Sequence, residues 1–484
     1  MIQNRIKFGT DGWRAVIAED FTFDNVRACA QGTADYLNQA KVSGQGLVIG
    51  YDTRFASEDF AAAAAEVIAA NNIKVHLCSQ TAPTPVISYL VTATKSAGGI
   101  IITASHNPRQ WNGFKYKDST GASGPTDIVA AIEKNANKAL SAGSIKRLPL
   151  AEGIRKGLIE YTDPVPIYFK QIDRLIDLEP IRQSQLKVID DSMYGAGIGY
   201  FKKLLGDSKI QIIEINGERN PLFPDIQPEP IAKNLVKLSA TIKERKAGVG
   251  IANDGDADRI GIMDENGEFL NQHQVFALLM LYFLEVRKER GAVVKTLTDT
   301  KMLDLLGKQY NVPVYETPVG FKYVAPVMKE KDAMIGGEES GGYGFRGHVP
   351  ERDGILAGLY FLDFMIKTRK TPSQLLAYLF SKVGPHYYDR IDAHISPDDR
   401  QKYALTLTGD GPILKLIVLG LKLADRPNNP DTTDGYKFWF EDDSWLLIRF
   451  SGTEPLVRIY AEGHSPEQVH KILESGKTIL GGEL

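Results

Sequence analysis

The stretch Gly98-Gly99-Ile100-Ile101-Ile102-Thr103-Ala104-Ser105-His106-Asn107-Pro108 decides how the chain is read. A glycine pair opens an unbroken run of three isoleucines, and a polar loop follows. A β-branched run without alternation predicts a strand buried on both faces, as in a parallel sheet covered by helices. Ser105 falls just past the carboxyl end of that strand, where open α/β sheets place their ligands. Upstream, Ser57 is predicted to cap a helix whose first turn carries Glu58 and Asp59, favourable near the positive helix end. Alanines continue that helix and Asn71-Asn72 end it. Ile73 to Cys78 reads as a strand, Pro83 to Pro85 as a turn, and Val86 to Lys95 as a helix. The alternation defines an α/β unit over residues 1–150.

A second unit is expected over 151–262. It holds a strand at Leu186 to Asp190, a glycine-rich turn at Gly195, Gly197 and Gly199, and strands at Gly248 to Ala252 and Ile260 to Met263 around an acidic loop. The three glycines do not fit GxGxxG, which excludes a dinucleotide fingerprint. Asn266-Gly267 signals a tight turn. A third unit, 263–383, opens with a long helix near Gln274 to Arg290. The last, 384–484, has strands at Tyr436 to Phe440, Ser444 to Phe450 and Val457 to Ala461, with helices at Pro397 to Leu405 and Pro466 to Leu480. That is an α+β pattern with antiparallel strands.

At 484 residues the chain is too long for one core, and 43% hydrophobic with 24% charged residues is ordinary globular composition. A formal net charge of −3 gives no reason to expect a nucleic-acid partner. The longest apolar run, Val275 to Val286, is about twelve residues, short of the roughly twenty a membrane span needs, so a buried helix and no membrane partner are expected. The first residues show no signal-peptide pattern. Cys29 and Cys78 lie in apolar segments outside any CxxC pattern and read as reduced buried thiols of a cytoplasmic protein.

Four loops can carry chemistry. In Asp254-Gly255-Asp256-Ala257-Asp258-Arg259, carboxylates at alternate positions can turn inward together, and hard oxygen ligands suit magnesium or calcium. An EF-hand is disfavoured, because its obligatory glycine position holds Arg259 and the flanks read as strands. Thr103-Ala104-Ser105-His106-Asn107-Pro108 fits neither a GxSxG elbow nor a Walker A loop. It is either a polar turn or a nucleophile with His106 and Lys115 at hand. Gly337-Glu338-Glu339-Ser340-Gly341 offers carboxylates and a hydroxyl, good partners for sugar hydroxyls, or is a surface turn. Arg449-Phe450-Ser451-Gly452-Thr453-Glu454-Pro455, with Arg458, is a dianion cradle or a hairpin turn with surface arginines.

Taken together with Phe8-Gly9-Thr10-Asp11-Gly12-Trp13-Arg14, these loops resemble, in order and spacing, the α-D-phosphohexomutase superfamily, closest to phosphoglucomutase. The resemblance implies three similar mixed α/β domains and a C-terminal α+β domain around a central cleft. It also implies an intramolecular phosphotransferase that interconverts hexose 1-phosphate and hexose 6-phosphate. Ser105 matches the serine phosphorylated in the active enzyme. Asp254, Asp256 and Asp258 match magnesium ligands, with Ser105's phosphate completing the site. Arg14, Lys115, His106 and Arg259 match the basic surroundings of that serine. Glu338 and Ser340 match sugar readers, and Arg449, Ser451, Gly452, Thr453 and Arg458 match the grip on the non-reacting phosphate. Thr317-Pro318-Val319-Gly320-Phe321-Lys322 and Arg352-Asp353-Gly354 resemble substrate-binding segments of the glucose-preferring members, placing Thr317, Gly320, Lys322 and Arg352 among substrate contacts. The same subgroup carries GEES, here Gly337 to Ser340. Glucose 1,6-bisphosphate is the implied intermediate and activator, the implied partner is a small sugar phosphate, and the assembly implied is a monomer or homodimer. A phosphomannomutase or dual-specificity mutase is the nearest alternative, and a sugar-phosphate phosphatase a more remote one. Three positions depart from the family pattern: Ala257 stands where glycine is usual, Gly341-Gly342 replaces the commoner continuation, and Phe321 stands where some relatives have histidine. The last leaves the proton-transfer group among Lys322, Lys115 and His106.

Overall fold

The computed structural model describes residues 6–9, 11–206, 208–451 and 455–481. Contacts divide the chain into two units, Met1–Val294 with Gly320–Leu375, and Lys295–Val319 with Leu376–Leu484.

In the first unit, a six-stranded sheet holds β1 (Trp13–Val16), β2 (Leu47–Tyr51), β3 (Val75–Cys78), β4 (Gly98–Ile102), β5 (Trp111–Asp118) and β6 (Ile159–Thr162). Their order is β1-β5-β4-β2-β3-β6. Pairing is parallel from β4 through β2 and β3 to β6, and antiparallel from β4 through β5 to β1. The three isoleucines explain themselves here. Ile100 and Ile102 join Leu47 and Ile49 in a core with helices Phe23–Gln39 and Ser57–Ala70. The opposite face packs under helix Thr84–Thr94, where Ile87 and Val91 lie so close to Gly50 and Gly99 that no Cβ would fit. With both faces covered, β4 is buried along its whole length.

Helix Ser57–Ala70 corrects one expectation. Ser57 is not its cap: Ala56 precedes the helix in a left-handed conformation without a side-chain cap bond. The Ser57 hydroxyl instead donates to Asp52 Oδ1 at 2.9 Å, because that buried carboxylate needs donors more than the helix end does.

The second sheet of this unit contains β7 (Lys187–Asp191), β8 (Gln211–Ile215), β9 (Val249–Asn253), β10 (Ile260–Met263) and β11 (Phe269–Leu270), in the order β11-β10-β9-β7-β8. Then come helix Gln272–Glu285; β12 (Val293–Thr296), which crosses the division; helix Met302–Tyr310 and β13 (Val314–Thr317), which belong to the second unit; and, in the first unit again, helix Phe321–Glu330, β14 (Ile335–Gly337), β15 (Tyr343–Phe345) and helix Gly354–Thr368. Helix Gln272–Glu285 begins in a capping box between Asn271 and Gln274 and is buried from His273 to Leu284. It stops short of the expected Arg290, since Lys288 turns left-handed at φ 56°. Among the described residues no helix is long and apolar enough to cross a membrane.

The second unit contains β16 (Tyr387–His394), β17 (Tyr436–Trp439), β18 (Trp445–Phe450) and β19 (Leu456–Gly463), an antiparallel sheet in the order β16-β19-β18-β17. Helix Pro466–Leu480 covers it, capped by Ser465 with proline in its first turn. Of these strands β16 escapes a sequence reading, because exposed and half-buried residues alternate along it without a strong apolar face.

At the end of β7, the nearly fully buried Asp191 accepts hydrogen bonds from the Met193 N–H at 3.0 Å and Asn216 Nδ2 at 2.8 Å. Burial nevertheless pushes its carboxyl up to about 6. The folded chain therefore holds this proton more tightly than the unfolded one. The associated stability is full below about pH 4 and is lost as pH rises through about 6, a change of about 2–3 kcal/mol. Asp191→Asn keeps an acceptor oxygen without the charge. Denaturation should show the variant matching the wild type near pH 4 and exceeding its stability at pH 8; equal stabilities at pH 8 would contradict this reading.

Candidate active site

β9 and β10 pair antiparallel with Asn253 opposite Ile260, so the acidic loop must turn within six residues. That tight turn brings one carboxylate oxygen from each of Asp254, Asp256 and Asp258 within 4.8 Å of the others, all buried. Asp254 Oδ1 accepts the N–H groups of Asp258 and Arg259, each at 3.0 Å, which closes the loop on itself. Ala257, where the family pattern has glycine, is left-handed at φ 54°.

The serine loop meets this turn backbone to backbone. A Cβ on Gly255 would lie 2.3 Å from the carbonyl oxygen of Ser105, so only glycine permits the approach. Ser105 Oγ donates to Asp254 Oδ2 at 2.8 Å and lies 3.3 Å from His106 Nδ1. Two loops separated by about 150 residues thus share one hydrogen bond at the candidate nucleophile.

Three like charges in a dry place need compensation. Lys115, itself buried, sits 3.0 Å from Asp256 Oδ2 and 2.8 Å from Asp11 Oδ2. Thr84 donates to the same Asp256 oxygen at 2.6 Å. Arg352 Nη2 pairs with Asp258 Oδ2 at 2.8 Å. Burial together with its two neighbouring carboxylates pushes Asp254 well above the usual range. Burial acts on Asp256 too, but Lys115 and the hydrogen bonds it receives hold that carboxyl below the usual range. Burial weakens the charged form of Lys115, yet Asp11 and Asp256 overcome it and keep the ammonium protonated. His106 is driven the other way, by burial first and then by the charges of Arg259 and Arg14, and is a neutral imidazole.

Not every oxygen is satisfied. Among the described residues, Asp256 Oδ1 and Asp258 Oδ1 are buried without a hydrogen-bond donor, and Asp258 Oδ2 has only its ion pair with Arg352. Buried orphan carboxylate oxygens grouped this closely fit a hard divalent cation such as magnesium, whose ligands are oxygens.

The remaining sequence-derived candidates divide between the two units. In the first, Arg14 donates to Asn107 at 2.6 Å, and Arg259 lies 3.5 Å from Glu229. The sugar-reading candidate Glu338 is buried and receives Arg352 Nη1 at 3.4 Å, so one guanidinium spans the acidic loop and the Glu338 loop. Arg352 also pairs with Glu351 at 3.1 Å and Asp11 at 3.4 Å. The Glu338 loop is pinned to the second sheet by the Ile260 N–H donating to Gly341 O at 2.9 Å. Ser340 is half-buried on that loop. Gly320, at φ 128°, leads into helix Phe321–Glu330, and Lys322 Nζ rests 5.0 Å from the Tyr323 ring centre.

In the second unit, Arg449 and Arg458 stand directly opposite each other on β18 and β19. Like charges facing across a ladder are unfavourable unless an anion joins them. Asp434 lies 3.0 Å from Arg449 and Asp392 lies 3.7 Å from Arg458. The buried Ser451 closes the turn through its N–H to Leu456 O at 2.9 Å. Gly452 and Thr453 lie outside the described residues. The Thr317 hydroxyl is within 3.3 Å of Lys295 O and 3.1 Å of Pro318 O.

Sequence reasoning missed Thr84, Lys117 and Glu351, and gave Asp11 no role of its own. Lys117 is buried against Glu351, with Asp11 Oδ1 at 3.8 Å. A signal existed in Lys115 and Lys117: two lysines two residues apart on a buried strand must point to the same side, and buried cations need anions.

The chain is similar to known proteins along most of its length. The patterns described as Phosphoglucomutase/phosphomannomutase, alpha/beta/alpha domains I, II and III, match residues 5–142, 166–267 and 271–383, and the pattern of the C-terminal domain matches 415–475. A Phosphoglucomutase/phosphomannomutase of Thermococcus kodakarensis is 30% identical over 98% of both chains. A Phosphoglucosamine mutase of Acetivibrio thermocellus is 29% identical over 96% of both. Among solved structures, a Thermus thermophilus protein carrying a provisional phosphomannomutase name is 36% identical, with a TM-score of 0.83 over 99% of each chain. The chain belongs to the phosphoglucomutase/phosphomannomutase family, which is a family of phosphohexomutases. The three mixed α/β domains and the C-terminal domain expected from the sequence are those of this family.

The orphan oxygens give a direct test. Calorimetric titration with Mg2+ or Mn2+ should show Asp256→Ala and Asp258→Ala losing affinity by at least about 10-fold. Glu265→Ala, in an acidic position whose carboxylate is occupied by Thr371 and Ser373, should bind as the wild type does. Equal affinity in all three variants would contradict a cation site in the loop.

Proposed function

We propose that the chain interconverts α-D-glucose 1-phosphate and glucose 6-phosphate, with phosphorylated Ser105 as the phosphoryl carrier and glucose 1,6-bisphosphate as the intermediate. The observation that carries this reading is the 2.8 Å contact between Ser105 Oγ and Asp254 at the edge of a buried carboxylate triad. A hydroxyl placed there can keep its phosphate beside a divalent cation and buried basic side chains.

In the forward half-reaction, the bond from phosphorus to Ser105 Oγ breaks as one forms to the free hydroxyl oxygen of a hexose monophosphate. The hydroxyl proton passes to His106, whose Nδ1 lies 3.3 Å from Ser105 Oγ; Lys115, clamped between Asp11 and Asp256, serves as a fixed cation. The bisphosphate then reverses its orientation, and its other phosphoryl group returns to Ser105. Asp254, Asp256 and Asp258, with a phosphoserine oxygen, would hold magnesium, which supplies Lewis-acid stabilisation of the transferring group. Phosphoryl transfer demands little of the protein beyond positioning and charge stabilisation, and Arg14, Lys115 and Arg259 are suited to both. Glu338 and Ser340 would read sugar hydroxyls. The facing Arg449 and Arg458, with Ser451, Gly452 and Thr453, would grip the non-reacting phosphate.

Glucose is favoured by Gly337-Glu338-Glu339-Ser340, the form of this loop that resembles glucose-preferring members. A mannose or dual specificity is the second reading, supported by the relatives' names. A cytoplasmic location accords with two buried free thiols.

A coupled assay with glucose 1-phosphate, mannose 1-phosphate and glucosamine 1-phosphate, each primed with its bisphosphate, tests the proposal. Glucose 1-phosphate should give the highest kcat/KM, and Ser105→Ala should be inactive with all three. Higher kcat/KM for either other sugar would overturn the glucose assignment. Turnover by Ser105→Ala would overturn the carrier.

A further inference from the structure

Ser105 holds an unusual main-chain position. Its φ of 54° lies in the left-handed region, which a non-glycine residue keeps only when its surroundings insist. Those surroundings form a closed ring. The Ser105 N–H donates to Thr103 Oγ1 at 2.8 Å. The Thr103 hydroxyl donates to Asp52 Oδ2 at 2.6 Å. That same oxygen pairs with Arg54 Nε at 3.2 Å. Arg54 Nη2 completes the circuit by donating to the carbonyl oxygen of Ser105 at 2.6 Å. Both main-chain polar groups of the serine are therefore held by one buried ion pair, directly on the carbonyl side and through a hydroxyl on the amide side.

The grip extends along the loop. Arg54 also donates to Asn107 O at 2.6 Å and to Pro108 O and Trp111 O, each at 3.0 Å. One guanidinium thus collects four carbonyls. Asp52 Oδ1 is fixed in turn by the Arg54 N–H and the Ser57 hydroxyl, each at 2.9 Å. Asp52, Arg54 and Thr103 are buried and touch neither the acidic triad nor Ser105 Oγ in any of these bonds. They act on the serine only through its backbone.

We propose that Asp52, Arg54 and Thr103 are positioning residues for phosphoryl transfer, locking Ser105 in the left-handed conformation that aims Oγ at Asp254. This rests on the reading of Ser105 as carrier. If the ring opens, Ser105 relaxes toward ordinary backbone angles and Oγ swings off the acidic loop. Chemistry then slows while the sugar contacts, which lie on other loops, stay as they were.

Thr103 offers the test, because its hydroxyl can be removed without unpairing Asp52 and Arg54. Thr103→Val keeps the side chain's volume and loses the hydroxyl; Thr103→Ser keeps the hydroxyl and loses the methyl. In the full-length enzyme with glucose 1-phosphate, Thr103→Val should lower kcat by about 10- to 100-fold, as a misplaced reacting group does, with KM within about 3-fold of the wild type. Thr103→Ser should restore kcat. Wild-type kcat in Thr103→Val, or a loss in Thr103→Ser as large as in Thr103→Val, would overturn the proposal. If Thr103→Val does not fold, Thr103→Ser decides alone: retained kcat upholds the role of the hydroxyl, and a 10-fold loss refutes it. Ser105→Ala assayed in parallel separates the two ideas. Activity in Ser105→Ala would refute the carrier, whereas an inactive Ser105→Ala beside a fully active Thr103→Val would refute only the positioning ring.

Discussion

Three aspartates buried within 4.8 Å of one another are the constraint on which the rest of the first unit depends. Burying one carboxylate is costly and burying three together more so, unless each finds a cation or a donor. The surroundings supply both, from distant parts of the chain: Lys115 from β5, Arg352 from the segment after β15, Thr84 from the start of a helix. Asp258 Oδ1 and Asp256 Oδ1 are left over as lone pairs for a metal ion. A loop whose charges were fully neutralised by the protein would have no such capacity.

The compensation also fixes geometry. Arg352 is a five-donor fork that reaches Asp258, Glu338, Glu351 and Asp11, so it ties the acidic loop to the Glu338 loop. Buried ion pairs add little net stability, because desolvation offsets attraction. Their effect is selective: an alternative arrangement of these loops would leave a buried charge without its partner. Phosphoryl transfer needs that kind of selection, since catalysis lies in holding an oxygen, a phosphorus and several cations at fixed separations.

How much of this could be read from the chain depended on whether a feature was local. The strand before Ser105 was legible because Ile100-Ile101-Ile102 can satisfy no water-facing surface. The acidic loop was legible because alternate carboxylates between two apolar strands have few other uses. Helix Gln272–Glu285 was legible from its unbroken apolar run, Val275 to Leu284. What failed was whatever depends on a partner far along the chain. Ser57 looked like a cap because nothing adjacent shows that Asp52 would claim its hydroxyl. Lys117 and Glu351, more than 200 residues apart, carry no mutual signal in sequence. β16 pairs with β19 along its whole length, about 70 residues further on, and its own residues alternate too weakly in burial to mark a strand.

The account reduces to a serine whose oxygen is held beside a cation-binding carboxylate cluster so that it can carry a phosphate in transit. The most direct test is to expose the Mg2+-loaded enzyme briefly to glucose 1,6-bisphosphate labelled in its phosphates, then locate and count the label by peptide mass spectrometry. The account predicts one phosphate per chain, on Ser105, discharged back into bisphosphate when glucose 6-phosphate is added. Label on any other residue, or its release as inorganic phosphate in place of return to the sugar, would contradict it.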